Sequence, residues 1–131
     1  MIVQYAAAAS LGELHGHSAP RSAFSTTTSA GQEDHVSMAA TASWNLIEAI
    51  QRCSEVLACE AFVAHRALKV IATPSSTCIQ SMIRCLDQVI QTNMNDRSTS
   101  DELVSIAQEL TSSTWLSIVQ STLERPLKKS I

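Results

Sequence analysis

The sequence predicts an all-α fold, and three observations lead to this prediction. Apolar residues recur at helical spacing in three separate stretches of the chain. Residues that end helices or form loops separate these stretches. No stretch shows the strict alternation of apolar and polar residues that is typical of a half-buried strand. We therefore expect a small bundle of three main helices, over residues 38–72, 76–93 and 100–124.

The first predicted helix is the longest of the three. Neither glycine nor proline occurs from Val36 to Thr73, and the apolar residues follow alternating steps of four and three. Such spacing forms a seam along which another helix can pack. Pro74 is expected to end this helix, because proline cannot donate the backbone hydrogen bond that would continue it.

The second and third predicted helices carry their own start signals. Residues 78–93 have one apolar and one polar face, and Ser75 or Ser76 can cap the start of this helix. The third helix begins at residues 99–102, Thr-Ser-Asp-Glu, which fit a capping box. Its middle, residues 111–114, is a run of hydroxyl side chains, and these can bend a helix by bonding to the preceding turn.

The first 35 residues differ in composition from the rest of the chain. They hold all three glycines and the polar tract Ser25–Ser29. Small and hydroxylated residues bury little apolar area, so we expect residues 1–35 to be a flexible or weakly ordered arm. Residues 36–131 are then the helical bundle domain. One alternative stays open, in which residues 2–14 dock as a short fourth helix at the N-terminus.

The unequal lengths of the predicted helices leave apolar surface uncovered. The second helix spans about 24 Å at 1.5 Å per residue, roughly half of the first, so it covers only the later part of the first helix. We therefore expect a protein partner or a second copy of the chain to cover the remainder. The expected interface residues are Trp44, Leu46, Ile47 and Ile50.

The cysteines and histidines do not form a recognisable metal or redox site. Cys53 and Cys59 are six residues apart on one predicted helix, too far around and along it to form a disulfide. No CxxC motif is present, so all four cysteines are interpreted as small apolar side chains. His15 and His17 offer two imidazoles, but no third ligand is close in sequence. We therefore expect no metal site.

Composition excludes several classes of function. A net charge of −3 gives no basic patch for nucleic acid, and no apolar run reaches the roughly 20 residues that span a membrane. Reduced cysteines and the absence of a signal peptide favour an intracellular, cytoplasmic protein. Mitochondrial import stays open, because the first 35 residues are serine-rich and poor in acidic residues, with a basic residue at Arg21.

No catalytic or cofactor motif appears in the sequence. It contains no GxSxG, no glycine-rich phosphate loop and no HExxH, so we expect no catalytic residues and no cofactor, and an enzyme is disfavoured. The sequence instead favours a non-catalytic helical module for protein interaction or oligomerisation, regulatory or a fragment of a larger protein.

The alternative is a small-molecule-binding helical domain with an apolar pocket between its helices. The residues expected to line that pocket are Phe62, Met82, Cys85 and Trp115.

Overall fold

Five α-helices make up most of the protein in a computed structural model, which describes residues 2–71, 76–91 and 98–123. No β-strand occurs among these residues, so the predicted all-α class is confirmed. The helices are α1 (Ile2–Gly16), α2 (Ala39–Ile71), α3 (Thr77–Val89), α4 (Ser100–Leu110) and α5 (Ser113–Leu123).

The longest helix, α2, agrees closely with its predicted range of residues 38–72. It has 33 residues and is about 50 Å long at 1.5 Å per residue. Its first backbone N–H, that of Ala39, donates to the hydroxyl of Ser37 at 3.3 Å. Pro74, the predicted end of this helix, lies outside the described residues.

The helix α3 begins as the sequence predicts. The hydroxyl of Ser76 accepts a hydrogen bond from the backbone N–H of Ile79 at 3.3 Å, which is the expected cap. The helix ends at Val89, earlier than the predicted residue 93. The backbone at Ile90 is extended, so the described chain leaves the helix there.

The predicted third helix is divided into two, because its polar middle ends one helix and starts the next. The Thr111 hydroxyl donates to the Gln108 carbonyl at 2.9 Å, within the last turn of α4. The Ser112 hydroxyl accepts from the backbone N–H of Trp115 at 3.1 Å, which caps α5. Hydroxyls that were expected only to bend a helix therefore interrupt it.

The expected capping box at the start of α4 does not form. Thr99 makes no capping hydrogen bond with its side chain. Glu102 is buried, and its carboxylate accepts the backbone N–H of Gln91 at 2.7 Å. This carboxylate therefore satisfies a backbone donor just beyond α3 rather than one at the start of its own helix.

The structure contains a helix at the N-terminus, α1, which the sequence left open as an alternative. Two short 3₁₀ turns, Arg21–Phe24 and Ser29–Gly31, follow it within the first 35 residues. The boundary between an arm and a domain at residue 35 stays a prediction. By internal contacts the chain forms two compact units, residues 1–56 and residues 57–131.

Polar contacts hold the first unit (residues 1–56) together, and none of its described residues is buried. The Arg52 guanidinium on α2 pairs with Glu13 on α1, with 2.6 Å between Nε and Oε2. The hydroxyl of Ser10 donates to Glu55 at 2.8 Å, and Arg52 also pairs with Glu55. These contacts attach α1 to α2.

The second unit (residues 57–131) contains the apolar core. Its buried charged or polar residues are His65 and Glu102. The buried apolar residues are Ala58, Cys59, Phe62, Leu86, Ile90 and Ile106. None of the described helices combines the length and apolar character needed to cross a lipid bilayer.

Candidate functional site

The most unusual backbone in the described residues lies in the loop between α1 and α2. Ser29, Ala30 and Gly31 are consecutive and have φ values of 52°, 56° and 81°. Glycine adopts this left-handed region freely, whereas it costs other residues about 1–2 kcal/mol each. Strain of this kind persists only where the surrounding structure imposes it, and it is common at functional sites. The loop is therefore the first place to look for chemistry.

Hydrogen bonds between its two ends close this loop, here called the strained loop (residues 25–36). Thr27 and His35 form an isolated antiparallel bridge. The Ser25 hydroxyl donates to the Val36 carbonyl at 2.6 Å, and the Val36 N–H donates to the Thr26 carbonyl at 3.1 Å. The three left-handed residues therefore lie at the tip of a loop whose base is closed.

The strained loop positions one carboxylate through a hydrogen bond within the loop. The Thr28 hydroxyl donates to Glu33 Oε2 at 2.5 Å. Hydrogen bonds from Thr28 and then Ser29 keep the pKa of the exposed Glu33 carboxyl below its ordinary value, because they favour the charged form. A fixed anionic group at the surface can bind a cationic group of a ligand.

The chain before the strained loop is anchored to α2 through one amide side chain. Asn45 Oδ1 accepts a hydrogen bond from the Arg21 guanidinium and another from His17 Nδ1, the latter at 2.6 Å. The Asn45 amide N–H donates to the His17 carbonyl at 2.8 Å. Asn45 is half-buried, and it therefore holds Arg21 through one hydrogen bond and His17 through two.

An open cavity of about 740 Å³ lies within the first unit, beside the strained loop. Ala39 and Ala42, at the start of α2, form part of its wall. None of its lining residues is acidic. Its polar lining residues are Arg21, Ser22, Ser25, His35 and Ser37. The cavity therefore offers one permanent positive charge and several hydroxyl groups to a ligand.

The four residues expected to form an interface are exposed along the first part of α2. Trp44, Leu46, Ile47 and Ile50 expose 70%, 60%, 54% and 53% of their surface. They form an apolar face (here the α2 apolar face) with no cover in the described structure. Their role in binding a partner stays a prediction.

Two of the four residues expected to line an apolar pocket do so. Met82 and Trp115 border a cavity of about 290 Å³ in the second unit, together with His65. Phe62 is buried and Cys85 is half-buried, and neither borders this cavity. Whether the cavity takes a ligand stays a prediction.

A charged cluster at α2 and α3 includes the histidine that borders this second cavity. Asp87 accepts hydrogen bonds from His65 Nε2 at 2.8 Å and from Lys69 at 3.0 Å. Partial burial raises the pKa of Asp87, but the two hydrogen bonds outweigh it and lower that pKa overall. His65 Nδ1 is buried and has no hydrogen-bond partner in the described structure, whereas His65 Nε2 and Lys69 both bond to Asp87 and so link the two helices.

All four cysteines lie in described helices, and no disulfide forms among them. Cys59 is buried, whereas Cys53 is exposed. The interpretation of cysteines as buried apolar side chains therefore fits Cys59 but not Cys53. Within the described residues, no three His, Cys, Asp or Glu side chains come together in a group that could hold a metal ion.

Comparison with known proteins identifies the family. Residues 1–92 match the family described as aromatic amino acid lyase, and this range includes the strained loop and the cavity beside it. The chain belongs to the aromatic amino acid lyase family. The match extends over more than half of the chain, which places α1, α2 and α3 in the lyase sequence.

Three bacterial relatives are named histidine ammonia-lyase. The protein of Bacillus cereus is 35% identical over 126 residues, which cover 95% of this chain and 24% of the relative. That of Bartonella tribocorum is 31% identical over 124 residues, covering 94% of this chain and 24% of the relative. That of Streptomyces coelicolor is 39% identical over 88 residues, covering 64% of this chain and 17% of the relative. The chain thus spans about a quarter or less of the length of these relatives.

Membership of a lyase family overturns the functional prediction made from the sequence. The expectation of a non-catalytic interaction, oligomerisation or regulatory module is wrong, because the chain belongs to a family of enzymes. The motifs sought in the sequence belong to hydrolases and nucleotide-binding proteins, so their absence said nothing about a lyase.

The residues of the strained loop escaped the sequence interpretation because residues 1–35 were taken for an arm. One signal was available in the segment 31–35, which places a glycine directly before a glutamine, two carboxylates and a histidine. A glycine beside several titratable residues indicates a turn that presents them.

Proposed function

We propose that this chain is part of an ammonia-lyase that acts on histidine, and that the strained loop is its contribution to the active site. One observation carries the proposal. The segment that matches the lyase family contains three consecutive left-handed residues and, within the same loop, a carboxylate positioned by the Thr28 hydroxyl. Stored backbone strain and a fixed charge in one loop are features of functional sites.

The chemistry of the reaction explains the use of such a carboxylate. An ammonia-lyase removes the amino group of an amino acid as ammonia, so the group that leaves begins as a cationic ammonium. We propose that Glu33 binds this ammonium group. Its carboxylate is exposed and is held by the Thr28 hydroxyl at 2.5 Å. Hydrogen bonds between ionised groups are stronger than those between neutral groups, which favours this role for the carboxylate.

Other parts of a lyase are needed to complete this site. The relatives are about four times as long as the region that they share with this chain. We propose that further lyase polypeptide, of the same or another chain, covers the α2 apolar face. That face exposes more than half of the surface of each of its four residues, and apolar patches of this kind mark contact surfaces.

We also propose an intracellular location for the enzyme. Cys53 and Cys59 are six residues apart on one helix, where they cannot reach each other. An exposed thiol such as that of Cys53 is compatible with a reducing compartment.

A segment exchange tests the proposed function. The 126 matched residues of the Bacillus cereus histidine ammonia-lyase are replaced by the corresponding residues of this chain. We expect the hybrid to deaminate histidine, and the conjugated double bond formed by loss of ammonia can be followed by ultraviolet absorbance. The control is the unmodified enzyme prepared in parallel. A hybrid with the mass and helical content of the unmodified enzyme but no deamination of histidine would contradict the proposal.

A further inference from the structure

We propose that the cavity in the second unit binds a small aromatic molecule that donates one hydrogen bond to His65. The cavity has a volume of about 290 Å³ and is lined by residues of α2, α3 and α5. The proposed function rests on the strained loop in the first unit, so this inference holds or fails independently of it.

Apolar side chains form nearly the whole wall of this cavity. Among its described lining residues, only His65 and Trp115 carry nitrogen or oxygen in their side chains, and the others are alanine, leucine, isoleucine and methionine. The ring of Trp115 offers an aromatic surface, and a second aromatic ring packs on such a surface with a gain beyond that of burial alone. The wall therefore favours an aromatic ligand over an aliphatic one.

His65 supplies the polar atom that the ligand is proposed to meet. Its side chain exposes only 3% of its surface. Nε2 bonds to Asp87 Oδ1 at 2.8 Å, and in a neutral imidazole a donating Nε2 leaves Nδ1 as a hydrogen-bond acceptor. Nδ1 is buried and has no partner in the described structure. A buried acceptor without a donor is costly, so a ligand in the cavity that supplies a donor is bound more tightly.

The charges around Asp87 balance when the imidazole is neutral. Lys69 already provides a cation for this carboxylate, with 2.8 Å between its Nζ and Asp87 Oδ1. One positive and one negative charge then sit beside an uncharged ring. In that state Nδ1 accepts a hydrogen bond and cannot donate one. The ligand must therefore bring an N–H or O–H group.

The volume of the cavity indicates the size of the ligand. An apolar cavity of roughly 150 Å³ holds one benzene molecule, and the cavity beside His65 is about twice as large. It therefore has room for two fused rings, as in indole. A buried water molecule needs about two to four polar partners, so a wall of this composition suits an aromatic donor better than water.

Nuclear magnetic resonance titration of the full 131-residue chain with indole tests the site. Indene is the control ligand, because it has the same bicyclic shape but no N–H group. We expect both ligands to shift the ring N–H signal of Trp115 and the methyl signal of Met82, which border the cavity. The ring signal of Trp44, an exposed residue of the first unit, should not move. Only indole should shift the His65 Nδ1 signal, and it should bind about threefold to tenfold more tightly than indene.

A substitution at His65 isolates the hydrogen bond from the apolar contacts. His65→Gln retains an amide N–H that can bond to Asp87 but has no counterpart of the Nδ1 acceptor. Indene should bind this variant as tightly as the unmodified chain, which checks that the cavity is intact. Indole should lose its advantage and bind with the affinity of indene. An undiminished preference for indole in His65→Gln would overturn the assignment of His65 as the acceptor.

Two matched substitutions on α2 test whether the ligand occupies the cavity. Ala64 borders the cavity and Ala67 does not, although both are exposed residues of the same helix. Ala64→Leu places a larger side chain at the wall and should weaken the binding of both ligands, whereas Ala67→Leu should leave their affinities unchanged. Equal affinities for indole in these two variants would overturn the inference. Failure of both ligands to shift the signals of Trp115 and Met82, or equal affinities for indole and indene in the unmodified chain, would overturn it as well.

Discussion

Replacement of Asn45 by alanine should release the chain before the strained loop from α2. The substitution removes the hydrogen bonds that Asn45 makes with the Arg21 guanidinium, the His17 ring and the His17 carbonyl. Two of these bonds are worth about 1 kcal/mol each, and the one to the guanidinium about 1.5 kcal/mol. Alanine recovers about 0.6 kcal/mol, because it favours a helix more than asparagine does. Water partly replaces these bonds, because Asn45 is only half-buried. We therefore expect the free energy of unfolding to fall by about 2 kcal/mol, less than the sum of the separate contributions.

Urea unfolding followed by far-ultraviolet circular dichroism measures this loss. The matched control is Ser43→Ala, two residues earlier on α2, because the exposed Ser43 hydroxyl bonds only to the Ala39 carbonyl of its own helix. We expect the control to lie within about 0.5 kcal/mol of the unmodified protein. If Asn45→Ala is as stable as this control, the hydrogen bonds do not anchor the loop and the reasoning is refuted.

Two further predictions concern the packing of each unit. Partial burial raises the pKa of Glu55, but hydrogen bonds from Ser10 and Arg52 outweigh it and hold that pKa below 4.5. The ionised group therefore stabilises the fold above about pH 4.5, and this part of the stability is lost as the pH falls through the lowered pKa. Glu55→Gln should lower the urea midpoint at pH 7 and flatten its decline in acid, and an unchanged pH profile would contradict this. In the second unit, Ile106→Ala should cost about 2–5 kcal/mol, because Ile106 is fully buried. The exposed Val104→Ala should change the unfolding free energy by less than about 0.5 kcal/mol, and equal effects would place Ile106 outside the core.

The parts of the fold that the sequence predicts are those set by neighbours along the chain. The extent of α2 follows from an unbroken periodic stretch between residues 36 and 73, and the start of α3 follows from the hydroxyl of Ser76. The break at residues 111–112 was harder to predict. Whether a hydroxyl bends a helix or ends it depends on a balance of a few tenths of a kcal/mol per residue.

The candidate site was not predictable from periodicity, because its geometry depends on contacts between distant residues. Asn45 reaches Arg21 across 24 positions and His17 across 28. Ser29 and Ala30 adopt the left-handed conformation, which serine and alanine normally avoid. Their identities in the sequence therefore do not predict this conformation. These two residues lie in a loop closed by the hydrogen bond between Ser25 and Val36, and this closure is visible only in three dimensions.

The exposed α2 apolar face shows why a fold prediction did not yield the function. Trp44 and Ile47 are exposed on this face, and their role as an interface stays a prediction. An exposed apolar face is expected both for a separate interaction module and for a segment that packs inside a larger enzyme. Helix periodicity is the same in the two cases, so only the comparison with lyases distinguishes them.

The most direct test of the central claim is the effect of Glu33→Gln on deamination of histidine by the exchanged enzyme. Glutamine preserves the shape of the side chain but cannot carry the charge that is proposed to bind the ammonium group. We expect kcat/KM to fall about 30-fold or more, because the charged hydrogen bond to the ammonium group is lost. Glu60→Gln, at an exposed position on α2, serves as the matched control and should leave kcat/KM unchanged. A Glu33→Gln enzyme as active as the Glu60→Gln control would contradict the assignment of the strained loop to the lyase site.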